Sequence, residues 1–218
     1  MDKEILNQQS QHWEKNFSSK PEMFGKEPSI AAVKSLNFFK GKKIVELGAG
    51  LGRDTIFFAK NAIQVEALDY SQKAIGIINN KSKKLNLTHF IKTKIIDIRK
   101  KLPFDNSTID GCFSHMLYCM ALSNYDLESL NSEVLRILKP GGINIYTVRN
   151  TNDGDYKNGT HIGEDLYEND GFIVHFFSKD KINQLSKGFE ILDIEKFEEG
   201  KFPRKLFRVT LKKKLLTG

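Results

Sequence analysis

The chain has 218 residues, of which 39% are hydrophobic and 11% aromatic, and this is enough for one globular domain with its own core. No apolar run reaches the length of a membrane span, Met1–Glu4 does not open a secretory signal, and two cysteines, Cys112 and Cys119, exclude a disulfide framework. We therefore expect a single domain over residues 1–218, located in the cytoplasm, with no membrane partner.

The formal net charge of +7 leaves two interpretations of the surface. A strongly basic chain can bind nucleic acid or an acidic substrate. Here the basic residues are scattered and do not alternate with aromatic residues that could stack on bases. This distribution favours an ordinary lysine-rich surface and disfavours a nucleic-acid partner. The densest basic groups are Lys81–Lys84, Arg99–Lys101 and Lys212–Lys214.

Two helices, over Ile5–Phe17 and Ile30–Phe39, are predicted before the core, and together residues 1–40 form an N-terminal helical cap. The core then opens with a strand over 43–47, a glycine-rich turn and a helix over 53–60. Strand, turn and helix in this order bring backbone close to a ligand at the N-terminus of the helix.

The spacing of the glycines in the turn indicates which ligand. Gly48, Gly50 and Gly52 tolerate positive φ and carry no Cβ, so a ligand can lie against the main chain. A dinucleotide fingerprint needs its third glycine at the position that Arg53 holds, and the pattern therefore argues against NAD.

Acidic residues end the next two strands. The predicted strand over 64–69 ends in Asp69, about 20 residues after the turn, the position from which an acid reaches ribose hydroxyls in nucleotide-binding α/β folds. A helix over 71–85 follows, with Ser71 as its N-cap. The strand over 90–96 then leads directly into Asp97.

The rest of the chain continues the alternation of strands and helices, which predicts a parallel sheet with helices on both faces. A polar stretch over 150–171 interrupts it without clear periodicity. Because a loop of this length is often functional, we expect residues 150–177 to form an insertion or lid. The remaining predicted elements are strands 109–115, 142–149, 172–177, 191–197 and 206–212, helices 124–138 and 178–185, the latter with Ser178 as N-cap, and a connection over 198–203.

Five segments in this order resemble the motif series of the class I S-adenosylmethionine (SAM)-dependent methyltransferases, and they span Lys43–Arg149, about half of the chain. The resemblance implies a Rossmann-like fold with a seven-stranded, mostly parallel sheet and an antiparallel C-terminal strand. It also implies SAM as cofactor and methyl transfer as activity. The segments are Glu46–Gly52, Val65–Asp69, Ile95–Ile98, Leu102–Ser114 and Leu138–Val148.

Looser similarities point to a branch and an acceptor. Gly52-Arg53-Asp54, Phe57-Phe58-Ala59 and the pattern Trp13…Phe24-Gly25…Pro28 resemble the tellurite-resistance and thiol methyltransferases. This implies a small-molecule acceptor with an oxygen, nitrogen or sulfur nucleophile. A peptide or protein methyltransferase and a non-catalytic SAM-binding protein remain open as alternatives, and the sequence carries no signal for the oligomeric state.

Two absences narrow the class of enzyme. Phe113–Met116 stands where exocyclic-amine nucleic-acid methyltransferases carry an Asn/Asp-Pro-Pro-Tyr/Phe segment. Asn150–Asp155 looks faintly like a calcium loop, but its acids are out of register and no glutamate closes it, so no metal site is expected.

The family resemblance assigns cofactor roles to individual residues. The glycine turn would hold the methionine part of SAM, and Glu46 would orient its ammonium group through water. Asp69 would accept hydrogen bonds from both ribose hydroxyls, since an ionised carboxylate is an acceptor only. Asp97 would accept from the adenine amino group, with Ile98 against the ring. The remaining cofactor-binding assignments are Ala49, Arg53, Tyr70 and Ser114.

The catalytic candidates rest on position alone. His115 ends the fourth strand, and Tyr118 follows one turn later. Arg149 ends the fifth strand, while His161 and His175 lie in the insertion. Any of the three histidines, or Tyr118, could act as a general base for a hydroxyl or thiol nucleophile. A lone histidine is more often a structural residue, and that interpretation stays open for each of the three.

Overall fold

A computed structural model describes residues 3–20, 22–200 and 204–215, and it forms a seven-stranded sheet flanked by helices. The strand order is β3-β2-β1-β4-β5-β10-β9, in which β10 runs antiparallel to both of its neighbours. The sheet is otherwise parallel, as the sequence predicted.

The helices in the described part of the chain are α1 (Lys3–Ser19), α2 (Ile30–Phe39), α3 (Arg53–Lys60), α4 (Gln72–Lys84), α5 (Asn124–Ile137) and α6 (Lys179–Leu185). The strands of the large sheet are β1 (Lys43–Leu47), β2 (Gln64–Asp69), β3 (Ile91–Ile95), β4 (Ile109–His115), β5 (Leu138–Arg149), β9 (Phe189–Glu199) and β10 (Arg204–Lys213). A small sheet contains β6 (Thr160–Gly163), β7 (Leu166–Asn169) and β8 (Phe172–His175).

The predicted core elements are confirmed, and the differences lie at their ends. β5 begins at Leu138, four residues earlier than predicted, because Leu138 already pairs with Ile109 of β4. Ser71 and Ser178 cap α4 and α6 as expected, each accepting a hydrogen bond from a backbone amide of the first turn. The predicted connection over 198–203 lies partly outside the described residues, which stop at 200 and resume at 204.

The prediction that residues 150–171 have no structure of their own is wrong. β6 and β7 pair antiparallel, and β7 pairs with β8, so the insertion folds as a small three-stranded sheet. Each strand has only four residues, too few to show a period of two against a polar background. The apolar side chains that hold this sheet are Leu166 and Ile173, which pack with Leu6 of α1.

The order of the strands positions the ligand edge. α2, α3 and α4 cover one face of the sheet, and α5 and α6 cover the other. β2 and β3 lie on one side of β1, and β4 and β5 follow on the other, so the order of successive strands reverses between β1 and β4. In open α/β sheets ligands bind outside the carboxyl ends of the strands at such a point.

α1 lies at this ligand edge instead of on the back of the sheet. Its Glu14 accepts hydrogen bonds from Ser71 and from the backbone of Lys73 at the start of α4. Its Gln9 donates to the Gly171 carbonyl at the turn before β8 (3.0 Å). The helix therefore joins the core to the small sheet. In the described residues, no helix has the length and apolar character that crossing a membrane requires.

We expect Gly52→Ala to destabilise the fold by about 1–3 kcal/mol, measured by urea unfolding. Gly52 has φ +77°, and a Cβ there would lie 2.6 Å from Ile78 Cγ1. The matched control is Gly76→Ala in α4, where a Cβ meets nothing within 4 Å, and there a gain of about 0.5–1 kcal/mol is expected. Equal effects at the two positions would contradict this account of the turn.

Candidate functional site

The glycine turn between β1 and α3 is held in a conformation that L-residues rarely adopt. Gly48, Gly50 and Gly52 all have positive φ, between 52° and 77°. A Cβ on Gly48 would meet Leu117 at 2.9 Å, whereas the nearest atoms to a Cβ on Gly50, from Phe17 and Phe24, are 3.8 Å away. The turn is thus packed against apolar side chains, with more room beside Gly50 than beside Gly48.

Asp69 holds this turn in place. Its carboxylate accepts hydrogen bonds from the Gly50 and Ser71 amides, both at 2.8 Å. The residue is only 6% exposed, although it stands at the end of a strand. Burial raises the pKa of Asp69 to about 6, and hydrogen bonds from Ser71 and Gly50 oppose that rise. Two hydrogen bonds leave about half of its acceptor capacity for a ligand.

A cavity of about 540 Å³ opens beside Asp69, within the usual range for small-molecule sites. Its walls come from α1 and from the segments after β2, β3 and β4. Apolar side chains dominate, with Tyr70 and Ile98 on one side and Leu117 and Met120 on another. The lining residues are Leu6, Gln9, Ser10, Trp13, Tyr70, Ile95–Lys100, Leu117 and Met120–Leu122. This places the predicted residues Tyr70, Asp97 and Ile98 in one pocket.

Asp97 forms an ion pair with Arg99 that the sequence did not predict. Arg99 Nε lies 3.0 and 3.1 Å from the two carboxylate oxygens, and a second guanidinium nitrogen lies 2.7 Å from Oδ2. Burial alone would raise the pKa of Asp97, but the hydrogen bonds and charge of Arg99 outweigh it, and the pKa is lowered. Arg99 also donates to Asn7 of α1 (2.7 Å), so the pair joins α1 to the end of β3.

The other cofactor assignments lie in or below the turn. Glu46 is buried and accepts a hydrogen bond from the Thr55 hydroxyl at 2.5 Å. Burial, followed by the neighbouring Asp54 charge, raises its pKa well above the usual range. Ser114 on β4 is fully buried, and its hydroxyl has no hydrogen-bond partner in the described structure. Ala49 packs into the core below the turn.

His115 lies in a charged cluster at the carboxyl end of β4. Its Nδ1 is 3.0 Å from the Thr147 hydroxyl, and its Nε2 is 3.5 Å from Glu199 Oε2. Arg53 bonds the other oxygen of Glu199 at 3.2 Å. Burial first, then Arg53 and Arg204, lowers the pKa of His115 to about 3, so the ring is neutral at pH 7 and a weak base.

Tyr118 does not line the ligand edge, which corrects its assignment as a catalytic residue. Its ring is fully buried and stacks on Tyr146 at 4.4 Å, with an angle of 9° between the planes. Burial raises its pKa well above the usual range, so the phenol is not a base at neutral pH. The loop after β4 turns it inward, and Leu117 and Met120 face the cavity instead.

The three remaining catalytic candidates each make a different contact within or beside the insertion. They are Arg149, His161 and His175. Arg149 is buried and pairs with Asp153 and with Asp155 at 2.6 Å. His161 is exposed and stacks on a tyrosine of the small sheet. His175 is buried between the Leu122 carbonyl and the Lys181 ammonium group. Burial, then the Lys181 charge, lowers its pKa to about 4.

Trp13, one of the aromatic residues of the N-terminal cap, lines the cavity. Sequence reasoning missed two further contributors to the ligand edge. The apolar run over 116–122 carries Leu117 and Met120, and its position after a strand end was an available signal. Glu199 lies at the end of β9 and reaches Arg53 from 146 residues away, for which no local pattern exists.

Residues 44–142 match the family model described as a methyltransferase domain. Phosphoethanolamine N-methyltransferase 1 from Triticum aestivum is 33% identical over 118 residues, which cover 53% of this chain. That match spans only 22% of the length of the wheat protein.

Solved structures show the same fold over most of the chain. One is 1,6-didemethyltoxoflavin-N1-methyltransferase from Burkholderia thailandensis, with bound 1,6-didemethyltoxoflavin and S-adenosylhomocysteine (TM-score 0.77, 14% identity, 99% of this chain and 91% of that chain). Another is TehB from Haemophilus influenzae (TM-score 0.68, 19% identity, 93% of this chain and 67% of that chain).

The matched residues 44–142 lie within the predicted motif series over Lys43–Arg149, and the solved structures share the fold of this chain.

The raised pKa of Asp69 predicts how stability depends on pH. Between the unfolded value near 4 and the folded value of about 6, the folded state binds more protons, so stability falls as pH rises through this window. We expect the free energy of unfolding to be higher at pH 5 than at pH 7.5, and Asp69→Asn to flatten this difference. The control is Asp105→Asn at an exposed position, which should keep the wild-type slope. An unchanged slope in Asp69→Asn would contradict the assignment.

Proposed function

We propose that this protein is a SAM-dependent methyltransferase that acts on a small-molecule acceptor. The observation that carries the proposal is the 540 Å³ cavity at the carboxyl ends of β2, β3 and β4. Its wall includes Tyr70, the residue after the buried Asp69 that holds the left-handed glycine turn. Glu46, Asp54 and Asp69 all have raised pKa values in this region, chiefly through burial. Perturbed acids grouped at a cavity are typical of functional sites.

The residues present fit the cofactor. Asp69 retains acceptor capacity for ribose hydroxyls, and the apolar walls around Tyr70 and Ile98 suit a flat adenine ring. The unpartnered Ser114 hydroxyl and the glycine turn, where a Cβ on Gly50 would have 3.8 Å to its nearest neighbours, would hold the methionine part. When bound, SAM supplies a methyl group on a sulfonium, and the electron pair of the broken carbon–sulfur bond stays on the sulfur. The protein contributes alignment of the acceptor with that methyl group.

The N-terminal cap and the insertion would close the site. Trp13 of α1 lies 5.1 Å from Phe172 and 6.2 Å from Phe24 between ring centroids, so both segments meet above the glycine turn. A site closed by aromatic side chains excludes water and suits a small acceptor. The wheat and Burkholderia relatives bear the names of small-molecule methyltransferases. Two buried free cysteines support a reducing compartment, and we place the protein in the cytoplasm.

Binding of S-adenosylhomocysteine but not of NAD is the first expected consequence, measured by isothermal titration calorimetry. The basis is the glycine spacing, in which Arg53 replaces the third glycine of a dinucleotide turn. Ala121→Trp fills the cavity wall and should abolish binding, whereas Tyr125→Trp at an exposed position should not. Binding of NAD, or the lack of binding to either compound, would refute the proposal.

Asp69→Asn is expected to weaken S-adenosylhomocysteine binding by about 1.5–3 kcal/mol at pH 7.5, the range for a hydrogen bond to a charged group. The amide keeps the size of the side chain, but it has one acceptor oxygen where the carboxylate has two. Thermal unfolding checks that the variant is folded, and Asp105→Asn again serves as the control. Wild-type affinity in Asp69→Asn would remove Asp69 from the cofactor site.

A further inference from the structure

Glu199 is the buried acid whose position the proposed cofactor chemistry leaves unexplained. It ends β9, and the strand direction brings it to the same carboxyl edge as the glycine turn. There it meets Arg53 at the start of α3 and His115 at the end of β4. The three side chains remain 15–19% exposed.

The two oxygens of Glu199 have different environments. Oε1 receives the Arg53 guanidinium at 3.2 Å. Oε2 is buried and has no hydrogen-bond partner in the described structure, and the nearest charged-group atom is His115 Nε2, at 3.5 Å. A buried carboxylate oxygen without a donor is costly, and such groups in native structures often mark a place where a ligand binds.

His115 is oriented toward this free oxygen by its neighbours. The Met116 amide donates to Thr147 Oγ1 (2.9 Å), which leaves the hydroxyl proton of Thr147 for His115 Nδ1 (3.0 Å). In the tautomer in which Thr147 donates to Nδ1, the ring proton lies on Nε2, the nitrogen that faces Glu199. His115 is therefore a positioning residue that directs a neutral N–H at the carboxylate.

The cluster adjoins the proposed cofactor site through Phe24. Arg53 donates to the Phe24 carbonyl at 3.0 Å, and the Phe24 ring lies 3.8 Å from where a Cβ on Gly50 would be. Glu199 and Arg53 thus adjoin the glycine turn through Phe24 and are not among the described residues that line the apolar cavity. In the proposed function the turn holds the methionine end of the cofactor, so an acceptor at that end would lie near this cluster.

We propose that Glu199 is the catalytic base, which takes the proton from the acceptor's nucleophile through its free oxygen while His115 positions it. This inference rests on the proposed function. It names the acceptor class as a hydroxyl, thiol or amine that carries a removable proton. As the acceptor's lone pair forms the bond to the methyl carbon, its proton passes to Glu199, and water removes that proton after product release.

The electrostatic surroundings suit this role. Burial raises the pKa of Glu199, and Asp54 adds to the rise, while Arg53 and the Ile30 amide favour the ionised form. Arg204 is the further charge near His115. A carboxylate whose pKa is raised is a stronger base than an ordinary glutamate.

The test uses sinefungin, an analogue of SAM that carries a protonated amine in place of the transferred methyl group. A carboxylate at the acceptor side should bind this amine, so wild type should bind sinefungin about tenfold more tightly than S-adenosylhomocysteine in calorimetry at pH 7.5. Glu199→Gln should lose this preference and keep its affinity for S-adenosylhomocysteine. Glu198→Gln, at the exposed neighbouring position, should behave as wild type.

Each outcome separates the possible roles. A preference that persists in Glu199→Gln overturns the inference, and so does an equal loss of both ligands, which would show that Glu199 only holds Arg53. Should the glutamine variant not fold, Glu199→Asp keeps the negative charge on a side chain that is one methylene shorter. An intermediate preference for sinefungin is then expected. An unchanged preference in Glu199→Asp would again contradict the role. Failure of wild type to bind either compound would instead refute the proposed function.

Discussion

The bridge from Asp69 to the Gly50 and Ser71 amides is the constraint on which the site depends. It joins the ends of β1 and β2 and fixes a turn whose glycines have φ values closed to most side chains. The arrangement buries a carboxylate, and burial works against its charge. The two amides compensate in part, and a ligand that brings two hydroxyl donors would compensate further. The same contacts therefore shape the backbone and prepare it for a nucleoside.

α1 extends this constraint over the cavity. Asn7, Gln9 and Glu14 each hydrogen bond to a different part of the fold: the Asp97–Arg99 pair, the small sheet and the start of α4. α1 also buries Leu6 against the small sheet and Phe17 against Leu51 and Ala74. Polar and apolar contacts together therefore hold α1 as a cover over the cavity.

The charges at the ligand edge fall into two groups with different physical character. On the cavity side, Asp97 is neutralised by Arg99 and surrounded by apolar side chains. On the other side of the turn, Glu199 keeps one oxygen without a donor beside a neutral His115. One group suits recognition of an aromatic ring, and the other suits movement of a proton.

Local sequence signals predicted most of the fold. Ser71 and Ser178 marked helix starts, the glycine spacing marked the turn, and strand-end acids marked Asp69 and Asp97. The misses share a different cause, since they depend on contacts between distant segments. Asn7 and Arg99 are 92 residues apart, and Arg53 and Glu199 are 146 residues apart. Tyr118 shows the same limit, because only packing against Tyr146 decided that it faces the core.

The most direct test of the central claim is methyl transfer itself. The protein would be incubated with SAM that carries an isotopically labelled methyl group and with a small-molecule extract, and the products followed by untargeted mass spectrometry. The account predicts S-adenosylhomocysteine formation together with a labelled compound of low mass, both strongly reduced with Asp69→Asn at a SAM concentration near the wild-type Kd. Label found only in protein, or SAM left unconsumed by a protein that binds it, would contradict a small-molecule methyltransferase.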